Sequence, residues 1–132
     1  MRSKIKVKRL GFEFNLPTRP PPIFTPREFA LRLINLQGRT ICIDYERGID
    51  GPQTAARLIR ETYEEAGVVF THSEEDAEAL VWIQAGSTDM RFAFLVVNPR
   101  DGGQYVCGEC GPRELTAAIM TAVCIFFESQ QT

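Results

Sequence analysis

A chain of 132 residues, 44% hydrophobic and 24% charged, has the composition of an ordinary globular protein and room for one domain, residues 1–132, around one core. A net charge of −2 gives no reason to expect nucleic acid as a partner, and no apolar run reaches the roughly 20 residues that span a bilayer. The basic N-terminus has neither an apolar stretch nor a cleavage site behind it, so no secretory signal is read there, and four cysteines beside an adequate core point to reduced thiols in the cytoplasm.

Lys4, Lys6 and Lys8 are all the lysines of the chain, and they alternate with Ile5 and Val7. On a strand this gives one charged and one apolar face. With Arg2 and Arg9 they form a basic run whose expected role is to keep a sheet edge from pairing with another chain. A basic arm for nucleic acid would carry interleaved aromatics and stronger overall basicity. Leu10, Phe12, Phe14 and Leu16 alternate in the opposite phase, which predicts a bulge near residues 9–11 or two short strands. Residues 17–22 (PTRPPP) then make a stiff, extended connector that can be neither helix nor central strand. Such a run can also serve as a ligand for a proline-binding domain.

Thr25-Pro-Arg-Glu28 is a capping box with proline at the first helical position, and Phe24 and Phe29 are placed to staple it. Phe29, Ala30, Leu33, Ile34 and Leu36 are the expected buried stripe, and Gly38 the stop. Residues 40–45 (TICIDY) read as a strand. Asp50 as the cap and Gln53 three residues on open a second helix. Its inner face is Ala55, Ile59, Thr62, Tyr63 and Ala66, its outer face Arg57, Arg60, Glu61, Glu64 and Glu65, and its end Gly67. A short strand at 68–71 and a single turn at 73–76 follow. Residues 79–83 are apolar on both faces, as in a central strand covered from both sides.

Further strands are expected at 91–98 and 104–107, joined by the turn-forming residues 99–103. The last helix is expected from Pro112 to Phe127. One apolar stripe holds Leu115, Ala118, Ile119, Ala122, Val123 and Phe126, and a second holds Ala117, Met120, Cys124 and Phe127. A helix this apolar is either deep in the core or shared with a partner, which motivates the expectation of a two-fold homodimer. The order of elements predicts an α/β or α+β single-domain sandwich with a mixed sheet of about five to six strands and three main helices.

The segment holding Cys107, Gly108, Cys110, Gly111 and Arg113 carries the most chemistry. With Pro112 opening the helix, Cys110 would lie just outside its N-terminus, where the dipole favours a thiolate, although Glu109 opposes it. Gly108, Gly111 and Arg113 suggest an anion at the same helix start. Zinc would need four ligands, and Cys42, Cys124 and His72 are not spaced to complete a set. A plain turn is the remaining alternative.

Asp44 at a strand end can face a ligand crevice or bond the next turn. His72 has no partner identifiable in the sequence, and Glu74, Glu75, Asp76 and Glu78 lack metal-loop spacing. No nucleophile, base and oxyanion donor assemble, so no catalytic residue, cofactor or metal is assigned. The sequence is read as a non-catalytic interaction or regulatory module that oligomerises and can bind a protein partner. The alternative is a thiol-redox or metal-binding protein centred on Cys107 and Cys110.

Overall fold

The computed structural model describes residues 4–7 and 10–130, so Arg2, Lys8 and Arg9 of the basic run lie outside the described residues. An antiparallel ribbon opens the chain: β1 (Lys4–Val7) and β2 (Phe12–Asn15), with Ile5 opposite Phe14 and Val7 opposite Phe12. Ile5, Val7 and Phe14 are buried, while Lys4 and Lys6 stay in solvent, as the alternation requires. The phase change after Val7 is thus two short strands.

A mixed sheet of five strands follows: β3 (Thr40–Tyr45), β4 (Val69–Phe70), β5 (Ala79–Ala85), β6 (Phe92–Asn98) and β7 (Asp101–Cys110), in the order β4-β3-β5-β6-β7. β3 runs parallel to both β4 and β5, whereas β5, β6 and β7 form an antiparallel meander. Three helices accompany it: α1 (Pro26–Arg32), α2 (Pro52–Glu65) and α3 (Leu115–Ser129). On the helix side of the sheet, Ile41, Val81, Ile83, Phe94 and Val96 pack with Ile59 and Tyr63 of α2 and Ile119, Val123 and Phe126 of α3. On the ribbon side, Leu80, Leu95 and Val97 pack with Ile5, Val7 and Phe14. β5 is therefore apolar on both faces because it is covered on both. The class is the expected α+β sandwich, a single small domain.

The proline-rich connector passes from one face of the sheet to the other around the outer edge of β7. On the ribbon side, the Cys107 thiol donates to the Asn15 carbonyl at 3.4 Å. On the helix side, Pro21 covers Gly108: a Cβ there would lie 3.1 Å from the Pro21 Cβ and 3.0 Å from the Phe94 ring. The Phe24 N–H then donates to Thr121 Oγ1 on α3 at 3.0 Å. Prolines donate no hydrogen bond, so this strap lies beside an edge strand without extending the sheet.

The cap of α1 forms as read. Glu28 N–H donates to Thr25 Oγ1 at 3.2 Å, Thr25 N–H donates to Glu28 Oε1 at 3.0 Å, and the Phe24 and Phe29 rings meet edge to face at 5.7 Å. The expected stripe needs correction further on. The α-helix ends at Arg32 and a 3₁₀ turn covers Leu33–Leu36. Three residues per turn bring Leu33 and Leu36 over one another and inward, while Ile34 and Ala30, which lie well round the axis from them, are exposed.

The other helices begin later than expected. α2 is capped by Gly51 and not Asp50, at φ 117° and with no side-chain cap bond; Gly51 is also needed because a Cβ would meet the Phe92 ring at 2.7 Å. Thr62 of its expected inner face is exposed. α3 begins at Leu115 and not Pro112, because β7 runs on through Cys110 and residues 112–114 form a turn. Cys124 and Phe127, from the second stripe of α3, are each 1% exposed, and Met120 is half-buried. α2 and the 33–36 turn cover that stripe within the chain, and the buried Tyr63 hydroxyl donates to the Met120 carbonyl at 2.7 Å.

Candidate functional site

Cys107 and Cys110 both belong to β7, where successive side chains alternate between faces. Cys107 packs with the ribbon-side cluster, beside Tyr105, whose ring lies 4.6 Å from Phe14. Val106 and Cys110 pack with the helix-side cluster. Three steps of a strand separate the two Cα atoms by about 10 Å, whereas a disulfide needs less than about 7 Å. The pair thus shares neither a face nor a bonding distance, and no disulfide joins any of the four cysteines. No cluster of three or more His, Cys, Asp or Glu able to hold a metal occurs among the described residues.

Burial sets the thiol chemistry. It pushes Cys110 up to about 11, helped by the nearby Glu114 and Glu109 carboxylates against the opposing Arg91 charge. Burial likewise raises Cys107, and raises Cys124 to about 11. The expected thiolate at the start of a helix is absent for a structural reason: Cys110 is the last residue of a strand and only 5% exposed.

The expected anion groups are also dispersed. Gly108 is buried under Pro21, and Arg113 is exposed on the turn before α3. Glu114, the residue capping α3, brings its Oε2 within 3.0 Å of where a Gly111 Cβ would stand. A carboxylate therefore already stands beside Gly111. Glu109 binds the β5–β6 loop: it accepts from Ser87 N at 3.0 Å, Ser87 Oγ at 2.6 Å and Arg91 Nε at 2.7 Å. Burial pushes its carboxyl up, but the Ser87 and Arg91 hydrogen bonds outweigh this and hold it below the usual carboxylate range.

Asp44 accepts from the N–H of Tyr45, its neighbour at the end of β3, at 2.8 Å and lies 3.8 Å from the guanidinium of Arg47 in the following turn. It also borders a cleft of about 450 Å³ with Lys6, Arg47 and Trp82, between ribbon and sheet. His72, Glu75 and Asp76 are exposed and Glu74 is half-buried. Glu78 fastens the start of β3 by accepting from Thr40 N at 3.2 Å and Arg39 Nη1 at 2.9 Å.

Two places were not singled out from the sequence. A crevice of about 540 Å³ lies where β5 ends and α2 begins, lined by Asp50, Ser87, Asp89, Arg91 and Phe92 among others. The glycines at 51 and 86 and the turn residues between β5 and β6 hint only that the chain bends there. The second is an apolar surface on the first helical segment. Leu31 is 69% exposed and Ile34 73%. Ile34 borders an open cleft of about 420 Å³ with Leu33, Gln37, Glu65, Ala66 and Gly67. Nearby, Val69 on the two-residue edge strand β4 is also exposed.

No protein-family model, no curated protein and no solved structure matches this chain. No helix among the described residues is long and apolar enough to cross a membrane.

Proposed function

We propose that this chain is a non-catalytic interaction module that self-associates as a two-fold dimer, with Leu31, Ile34 and the adjoining cleft as its contact surface. The exposure of Ile34 carries the proposal: a large aliphatic side chain stands in solvent on the rim of an open cleft that Leu33 and Ala66 also line. Large apolar groups next to a concavity are the usual centre of a contact, and Gln37 and Glu65 give the cleft polar edges. An isologous contact sets each such patch against its own copy.

The polar groups support a non-catalytic role. Asp44, Glu78 and Glu109 each hold backbone or side-chain partners that shape the fold, and Cys110 and Cys124 are protonated at neutral pH. Four unbridged cysteines suit a reducing, cytoplasmic setting. Amide hydrogen exchange at low and high protein concentration tests the surface. Residues 26–37 and 65–70 gain protection as concentration rises if the proposal holds, and protection confined to other segments contradicts it.

A further inference from the structure

The strap between β2 and α1 presents its prolines in a regular way. The chain bends at Thr18 and Arg19; beyond the bend Pro20 and Pro21 each precede a proline, which disfavours helical backbone and favours the polyproline II conformation. Thr25 at the far end has φ −68° and ψ 161°, values of that same conformation. Burial follows its three-residue period: Pro21 and Phe24 are half-buried against the protein, while Pro20, Pro22 and Ile23 are exposed. Ile23 is 45% exposed, and with Pro20 it borders a cleft of about 320 Å³ whose other side includes Gly111 and Glu114. Both ends are fastened, by Asn15 to Cys107 and by Phe24 to Thr121. Arg19 is exposed at the start of the ridge.

We propose that residues 20–23, with Arg19 at the bend before them, are a preformed polyproline ligand for an aromatic-groove, proline-recognising domain of a partner protein. Pro20, Pro22 and Ile23 supply the ridge that lies against aromatic rings, and the cleft beside Pro20 and Ile23 admits one such ring. Arg19 pairs with an acidic side chain at the end of the partner's groove. Polyproline ligands bind because little conformational entropy is lost on docking, and a strap fixed at both ends carries this further. Such docking uses a face different from the Leu31 and Ile34 surface and stands whether or not the chain self-associates.

The test is an NMR titration of the full chain with a panel of purified SH3 and WW domains, used directly as probes. At least one domain is expected to shift the amides of Thr18, Arg19, Ile23 and Phe24. Pro22→Ala and Arg19→Glu, both at exposed positions, are expected to weaken that binding by about tenfold or more without changing the thermal melt, while Ile34→Asp leaves it unchanged. The proposal is overturned if no domain shifts the strap at millimolar concentration, if the shifts map elsewhere, or if Pro22→Ala and Arg19→Glu bind as well as the parent chain.

Discussion

Cys107 and Cys110 project from opposite faces of the same strand, with the sheet itself between their thiols. A Cys-x-x-Cys spacing brings two thiols together on a helix or a tight turn, but on a strand an odd step of three puts them on different sides. Cys110 then belongs to the core of α3, and Cys107 belongs to the packing of the ribbon.

Reactivity should follow exposure. Cys107 is half-buried, while Cys42, Cys110 and Cys124 are buried. Alkylation near neutral pH followed by peptide mass spectrometry is expected to label Cys107 first, slowly, and faster as pH rises, because burial raises its pKa. Mild oxidant should give no bond between Cys107 and Cys110. Labelling of Cys110 ahead of Cys107 would show that β7 ends before residue 110.

Much of this was legible from residue order. The Thr25 and Glu28 cap, the Phe24 and Phe29 staple, the two-sided burial of β5 and the alternation of β1 each follow from short-range patterns that the fold keeps. The misplaced start of α3 has one cause. Pro112 is a good first helical residue, but pairing of Phe92 with Cys110 draws the strand on to residue 110, and the turn carrying Pro112 comes after it. That shift takes Cys110 away from the helix start on which the thiolate reading rests. Ile34 was hidden differently. Set beside Phe29, Leu33 and Leu36, Ile34 lies on the far side of either an α-helix or a 3₁₀ turn, so its apolar character alone suggests the buried stripe and helical phase does not. The apolar second stripe of α3 was visible, but what covers it, Tyr63 and the 33–36 turn, is long-range.

The cap can be tested on its own. Thr25→Ala removes the oxygen that accepts from Glu28 N–H and is expected to lower stability by on the order of 1 kcal/mol. A denaturant titration with an unchanged midpoint would mean that α1 is held by the Phe24 and Phe29 contact alone.

Acid should act partly through Glu109. Its folded pKa is depressed, so its stabilisation is complete above the unfolded carboxyl value of about 4.3 and is lost as pH falls through the folded value. Glu109→Gln keeps the shape but gives up the charge-assisted bonds to Ser87 and Arg91, and should cost about 1–3 kcal/mol at neutral pH. That difference should shrink as the pH falls through the lowered folded value of Glu109, where the parent carboxylate also protonates. Melts whose gap is the same at neutral and acid pH would contradict the role given to the ionised form.

Self-association is measured most directly by sedimentation equilibrium on the parent chain and on Ile34→Asp. Ile34 is 73% exposed, so the aspartate enters solvent in the monomer but would be buried in the proposed contact. The expected result is a concentration-dependent dimer for the parent chain and a folded monomer for Ile34→Asp, with the thermal melt of the monomer unchanged. A parent chain that stays monomeric at high micromolar concentration, or a variant that dimerises as strongly as the parent, would contradict the account.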